Sequence, residues 1–379
     1  VEGPLIEAQV LETPMLCIMN HQMAVATKAS RVCRATNRPV SEFGSRRAHG
    51  PWAATYGAKA AIIAGCSATS NILTGVMYDY GSTGTMAHSY VTSFGCSIKG
   101  EYQAFDTYIN THKSEVLILL IDTYDTLKCG IKNAIKAFKD NGIDDNYPHG
   151  YGVRLDSGDL TYLSKKCREI LDNAGLKKCK IFATNALDEY IITELERQGC
   201  MVDCYGVGDA IATSKHNPCF GNVFKLVQIE DMPVLKRSED TIKLINPGFQ
   251  ITYRIIQNGR FKVDVTCLRG DDLSQAIEAN KTITVRDERD RFKSMTFEEG
   301  KYEFRTLQQQ IIKDGKIVYQ DKTIQEKQSY FKDNLAHLDE TQKRLINPHY
   351  YKCDISDALY DLKYTLIHNL VKEIEEFEG

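Results

Sequence analysis

Residues 150–175 read GYGVRLDSGDLTYLSKKCREILDNAG. The apolar run ending at Leu155 is too short for a helix and gives way to a polar turn, Asp156–Asp159. Beyond it, Leu160, Leu163, Cys167, Ile170, Leu171 and Ala174 recur at helical spacing, and Gly175 stands where a helix end favours positive φ. The same strand, polar loop and helix recur through residues 115–230. Apolar runs at 116–122 (VLILLID), 150–156 (GYGVRLD), 179–185 (CKIFATN), 202–208 (VDCYGVG) and 222–229 (NVFKLVQI) predict buried parallel strands. Asp188 is placed to cap a helix that buries Ile191, Ile192 and Leu195 and stops at Gly199. Repeated βα units mean a parallel sheet of the α/β class. Barrel and doubly wound sheets both fit. The polar clusters at 154–159, 183–189 and 206–214 all follow strands, and loops converging on one mouth favour a barrel.

Outside this stretch, residues 15–115 are helix-rich with short strands. Residues 231–300 switch to alternating, turn-punctuated β sequence such as QITYRIIQNGRFKVDV at 250–265, with Asn258-Gly259 as a hairpin turn. The C-terminal TLIHNLVKEIEEFEG predicts an amphipathic helix burying Leu366, Leu370, Ile374 and Phe377. The domain reading is a strand region at 1–15 belonging to the smaller domain, a barrel at 16–230, a β-rich sandwich at 231–300 and a helical region at 301–379. The chain opens without Met, so a further upstream segment is expected.

Forty-seven Lys and Arg against 50 Asp and Glu leave a net charge of −3, which offers no field for nucleic acid or an anionic membrane. Any anion site is therefore local. The longest apolar run, VLILLI at 116–121, is far short of a membrane span, and no leader opens the chain, so a cytoplasmic protein is expected. Twelve scattered cysteines read as reduced thiols; without CxxC or paired-histidine spacing, no protein-ligated metal site is expected. Trp52, the only tryptophan, is expected in the core, and His49 at the surface.

Four segments carry candidate chemistry. In STGTMAHSYVTSFG (82–95), His88 sits among residues too small to pack around an imidazole but able to hydrogen-bond. In GVRLDSGDL (152–160), Arg154 and Asp156 lie two apart and share a strand face, so they point together, either as a site for an anion and a sugar hydroxyl or as a salt bridge; Asp159 reads as a helix cap. In YGVGDAIATS (205–214), Gly206 and Gly208 permit close backbone approach at a helix start, a setting that suits phosphate, although Asp209 repels one. In EFGSRRAHGP (42–51), glycines flank Arg46 and Arg47, which suits pyrophosphate. Together these suggest phosphoribosyl transfer with an accessory phosphorylation.

Seven segments in order, LETP, EFGSRRAHGP, GTMAHSYV, LLIDTYDTL, GVRLDSGDL, YGVGDAIATS and FGNVFKLV, spanning residues 11–227, closely resemble the nicotinate phosphoribosyltransferase family. The resemblance implies an irregular, incomplete TIM-like α/β barrel with a smaller open-faced α/β sandwich domain, assembled as a homodimer. It implies nicotinate and phosphoribosyl pyrophosphate as substrates, Mg²⁺ as cofactor and ATP as co-substrate, in NAD salvage. By resemblance, His88 is the transiently phosphorylated histidine and Asp156 the carboxylate near the ribose. Arg46 meets pyrophosphate, Thr85 and Arg154 contact nicotinate, and Gly206 and Gly208 form the 5′-phosphate loop. Relatives carry Thr where this chain has Asp209, which approaches Mg²⁺ or caps the helix instead. Relatives also carry an upstream aromatic that stacks on nicotinate. A nicotinamide phosphoribosyltransferase would prefer an acidic residue where Ser70 and Asn71 stand, so nicotinate is favoured; a truncated, non-catalytic member is the other alternative.

Overall fold

The computed structural model describes residues 1–237 and 245–378; residues 238–244, inside the predicted β-rich region, lie outside the described residues. The chain divides into residues 1–222 with 322–332 and residues 223–321 with 333–379.

In the first unit, six strands form one parallel sheet: β1 (Val40–Glu42), β2 (Ala68–Thr69), β3 (Leu117–Leu120), β4 (Tyr151–Leu155), β5 (Lys180–Ala183) and β6 (Cys204–Val207). Their order is β2-β1-β6-β5-β4-β3. Because β6 returns to pair with β1, Tyr205 opposite Val40 and Val207 opposite Glu42, the sheet is a curled parallel half-barrel whose two edges are β2 and β3. The helices are α1 (Leu5–Val10), α2 (Glu12–Arg34), α3 (Pro51–Ile63), α4 (Ile72–Tyr78), α5 (His88–Thr92), α6 (Ile98–Thr111), α7 (Ile131–Asp140), α8 (Leu160–Asn173), α9 (Glu189–Arg197) and α10 (Asp209–Ala212).

The strands read as continuous apolar runs because both faces are covered: all four residues of β3 are buried. Leu119, Ile121, Val153, Leu155, Ile181 and Val207 form the centre of the core. Each fully buried aliphatic side chain there contributes about 1.5–3 kcal/mol. Polar residues after the strands start the next helix. Asp159 accepts from Tyr162 N at 3.0 Å, and Asp188 from Tyr190 N and Ile191 N at 3.0 Å each. One buried ion pair ties α2 to α9: Lys28 Nζ lies 2.9 Å from Glu189 Oε1, which Arg31 Nε also reaches at 2.9 Å.

Several expectations need correction. Residues 1–15 are not a strand region of the smaller domain: α1 and the start of α2 occupy them, within the first unit. The stretch lacks strand alternation, and Pro14 falls in the first turn of α2, where its missing N–H costs nothing. The run at 222–229 is not a buried parallel strand. Only Gln228–Ile229 (β7) pairs, antiparallel with Met232–Pro233 (β8), and Val223 and Leu226 are exposed. Trp52 is 62% exposed and stacks on Tyr56 instead of entering the core.

The second unit holds a mixed sheet in the order β12-β11-β16-β10-β9-β13. Its strands are β9 (Gln250–Gln257), β10 (Arg260–Leu268), β11 (Ile283–Arg286), β12 (Ser294–Phe297), β13 (Glu303–Thr306) and β16 (Cys353–Ile355), with a separate hairpin of β14 (Ile312–Lys313) and β15 (Lys316–Ile317). Asn258 and Gly259, at φ 54° and 67°, turn β9 into β10, so the expected hairpin is present. Helix α11 (Asp272–Glu278) follows β10, and Tyr253, Ile255, Val263, Val265 and Cys267 supply the core of the sheet. The predicted helical region at 301–379 contains α12 (Ile324–His337) and α13 (Asp357–Glu378) but also four strands, and β16 inserts between β10 and β11. Strands of only two to four residues carry too little alternation to be read, which hid them. In α13, Ile374 and Phe377 are exposed, Phe377 at 92%, so the apolar face is not buried to its end.

Candidate functional site

The C-terminal ends of the parallel strands collect most of the predicted site residues. His88 opens α5 and is partly exposed, its side chain at 42%. Its Nε2 lies 3.0 Å from Asp122 Oδ1, and Asp122, which follows β3, is 2% exposed. The other oxygen, Oδ2, accepts from Asp156 N at 3.2 Å and from the Ser157 hydroxyl. A carboxylate only accepts, so His88 Nε2 carries the proton and Nδ1 presents its lone pair. The neighbouring Gly84, Ala87 and Ser89 are exposed, and a Cβ on Gly84 would meet nothing within 4 Å.

Arg154 anchors the second cluster. Its Nε donates to Thr184 Oγ1 at 3.1 Å, one terminal nitrogen donates to Thr85 Oγ1 and to Met86 O at 3.3 Å, and the other lies 3.4 Å from Asp156 Oδ2. Thr184 in turn donates to Asp156 Oδ1. Arg154 and Asp156 thus share a face as their spacing predicted, and they also form a salt bridge. Thr85 joins them through the guanidinium.

Arg46 and Arg47 lie in a single 3₁₀ turn, Ser45–Arg47, after β1. Both are exposed, and no side-chain partner is found for either among the described residues. The turn is held from below. Asn71 Nδ2 donates to Ser45 Oγ at 3.0 Å while its Oδ1 caps α4 through Thr74 N at 2.9 Å. Ser70 is half-buried, and its N–H donates to Glu42 O at 2.9 Å. Glu42, 2% exposed, accepts from Gly44 N and from Thr69 Oγ1, the latter at 2.7 Å. Burial pushes its carboxyl up, and these two donors pull it partly back.

The glycines of the β6 loop differ in purpose. Gly206 is buried in the strand, and a Cβ there would stand 2.7 Å from both the Phe43 ring and Thr184 Cγ2, so the approach it permits is of those side chains. Gly208 lies at the mouth, its carbonyl against Gly44. Asp209 begins α10, only four residues long, and no side-chain cap bond closes that helix, so Asp209 does not act as the cap. Sequence reading missed Asp122, Thr184, Glu42 and Thr69. Each stands at or just past a strand end, which was the available signal. Among the described residues, no group of three or more His, Cys, Asp or Glu could hold a metal ion, and no helix is long and apolar enough to cross a membrane.

A parallel half-barrel with a histidine–aspartate pair and an arginine–aspartate pair at its strand ends is the architecture of an α/β enzyme. Residues 249–363 match the model of the nicotinate phosphoribosyltransferase C-terminal domain. Nicotinate phosphoribosyltransferase of Bacillus subtilis is 38% identical over 383 aligned positions, covering 99% of this chain and 75% of that protein. A Mycobacterium tuberculosis nicotinate phosphoribosyltransferase is 39% identical over 272 positions, 72% of this chain and 56% of its own length. The chain belongs to the nicotinate phosphoribosyltransferase family, whose members are phosphoribosyltransferase enzymes. The crystal structure of human nicotinic acid phosphoribosyltransferase shares the fold, with TM-score 0.79 at 23% identity over 96% of this chain and 78% of that one. Nicotinate-nucleotide pyrophosphorylase from Pyrococcus furiosus aligns with TM-score 0.61 at 25% identity, over 86% and 73%.

Proposed function

We propose that the chain converts nicotinate and phosphoribosyl pyrophosphate into nicotinate mononucleotide and pyrophosphate, coupled to ATP hydrolysis through a phosphohistidine at His88, as a step of NAD salvage. The observation that carries this reading is the His88–Asp122 pair: the buried carboxylate holds Nε2, and the partly exposed ring keeps the lone pair on Nδ1. In the accessory reaction, Nδ1 attacks the γ-phosphorus of ATP and ADP leaves; water later takes the phosphoryl group as inorganic phosphate. In the main reaction the pyridine nitrogen uses its lone pair on ribose C1 as the bond to pyrophosphate breaks, so no general base is needed. Arg46 neutralises the departing pyrophosphate, Asp156 meets the ribose hydroxyls, and the loop at Gly208 lies against the 5′-phosphate, with Asp209 beside it and Gly206 packed beneath. Arg154 and Thr85 receive the nicotinate carboxylate, with Ser70 at the edge of the same mouth.

Asp156 and Asp209 suit Mg²⁺, which takes one or two carboxylates together with substrate phosphates and does not require a protein cage. When bound, the ion would neutralise charge on the pyrophosphate. The incomplete TIM-like barrel is the scaffold in this reading, and the protein acts in the cytoplasm as a homodimer. The first unit exposes Ile6, Val10, Ile18, Trp52, Ile72 and Val76, apolar surface that self-association would cover.

The test is incubation with γ-labelled ATP. His88 should gain a phosphate that survives alkali and is lost in acid, and His88→Ala should gain none; equal labelling of that variant refutes the reading. Nicotinate and nicotinamide at equal concentration separate the two substrates, and preference for the amide would overturn the role given to Arg154.

A further inference from the structure

We infer that Glu42 is a positioning residue that sets the affinity for the pyrophosphate-bearing substrate, by locking the Ser45–Arg47 turn to the end of β2. This rests on the assignment of Arg46 to pyrophosphate. Glu42 is buried at the end of β1, where a carboxylate is costly unless both oxygens find donors. They do, and the donors come from two different loops: Gly44 N–H from the arginine turn, and the Thr69 hydroxyl from the end of β2. Thr69, wholly buried, extends the lock. Its Oγ1 accepts from Asn71 N at 3.0 Å, its carbonyl accepts from Thr83 N at 2.8 Å, and Asn71 Nδ2 closes the circuit on Ser45 Oγ. Glu42 therefore joins the arginine turn, the Ser70 loop and the approach to His88.

The turn has no freedom on its other side. A Cβ on Gly44 would stand 2.5 Å from Ala212 Cβ and 2.6 Å from Gly208 O, so the backbone of the arginine turn lies directly on the β6 loop. Arg46 itself has no side-chain partner among the described residues, and its orientation depends on the backbone beneath it. Glutamine is nearly the shape of glutamate but has one acceptor and one donor. In Glu42→Gln its oxygen can take the Gly44 N–H, while its amide nitrogen faces the Thr69 oxygen and strands the Thr69 proton in a dry site. The amide can donate to the second lone pair of Thr69 Oγ1, so a charge-assisted anchor becomes a neutral one and the Thr69 proton loses its acceptor, with little change in volume.

Full-length wild type, Glu42→Gln, Thr69→Val, Arg46→Ala and the Glu42→Gln/Arg46→Ala double variant are compared for steady-state constants and for binding by calorimetry. Glu42→Gln should raise KM and Kd for phosphoribosyl pyrophosphate about tenfold, leaving kcat and the nicotinate KM within about twofold. Thr69→Val cuts the same lock from its other end and must reproduce that selectivity; it alone decides the matter if Glu42→Gln does not fold. In the Arg46→Ala background, Glu42→Gln should add less than about twofold, because it acts through that arginine. A full additional tenfold loss there, or equal losses for both substrates, overturns the proposal. If Arg46→Ala leaves phosphoribosyl pyrophosphate affinity unchanged, the pyrophosphate assignment itself fails and this inference falls with it. A normal Arg46→Ala loss with an unselective Glu42→Gln sinks the inference alone.

Discussion

Replacing Asp122 by Asn changes one atom in a carboxylate whose side chain is only 2% exposed, and its cost follows from the donors that group serves. Three converge on the carboxylate: His88 Nε2 at 3.0 Å, Asp156 N at 3.2 Å and the Ser157 hydroxyl. Asn has a single acceptor oxygen. If it turns that oxygen to His88, its amide protons oppose Asp156 N–H; if it turns the amide to His88, the ring proton moves to Nδ1 and the nucleophilic lone pair is lost. Either way a charge-assisted hydrogen bond is forfeited at a group only 2% exposed, worth about 1.5–3 kcal/mol. At about 1.4 kcal/mol per decade, phosphorylation should slow by roughly 10- to 100-fold. The assay is the rate of acid-labile labelling from γ-labelled ATP by quenched flow, with phosphorus–proton correlation NMR to identify the modified nitrogen as Nδ1. Ser157→Ala removes a donor but keeps the His88 pair, so it should slow labelling by less than about threefold. Wild-type labelling of Asp122→Asn, or phosphate on Nε2, refutes the reasoning.

Arg154→Lys keeps the charge but cannot reach Thr184, Thr85 and Asp156 from one planar group; the nicotinate KM should rise about tenfold or more with discrimination against nicotinamide reduced, and unchanged discrimination in competition assays counts against a carboxylate contact. Gly44→Ala forces the arginine turn off the β6 loop, so binding calorimetry should show weakened phosphoribosyl pyrophosphate affinity, whereas Gly84→Ala enters open space and should bind as wild type. Glu189→Gln leaves Lys28 buried and unpaired and should cost about 3 kcal/mol in urea unfolding near neutral pH. Burial pushes the Glu189 carboxyl up, but hydrogen bonds from Arg31 and Lys28 outweigh it and hold the group below its usual value. A depressed folded pKa stabilises above the unfolded pKa and is lost as pH falls through the folded one, so the wild-type advantage should shrink below about pH 4.5; a gap independent of pH refutes this.

The strands β3 to β6 were legible because burial of most of their residues writes them as short, largely apolar runs, and the caps Asp159 and Asp188 because a helix start needs an acceptor at that place. β1 and β2 span three and two residues, too few for any period, and with them Glu42 and Thr69 passed unseen. The N-terminal helices were misread for want of a strong amphipathic stripe. Asp122 lay in a quoted segment, yet its partner His88 is 34 residues away and nothing local joins them. What the sequence lacked was register. Leu120 pairs with Arg154, Leu155 with Ala183, and Ala183 with Tyr205. Counting past those pairs sets Asp122, Asp156, Thr184 and Gly206 in one row across four adjacent strands. Thr184 can bond Asp156 because it is the next in that row, and Gly206 has no side chain because Thr184 and Phe43 fill the space on either side. The residues that follow each strand can be read one segment at a time, but the row exists only once the strands are aligned, and the chemistry of the mouth belongs to the row.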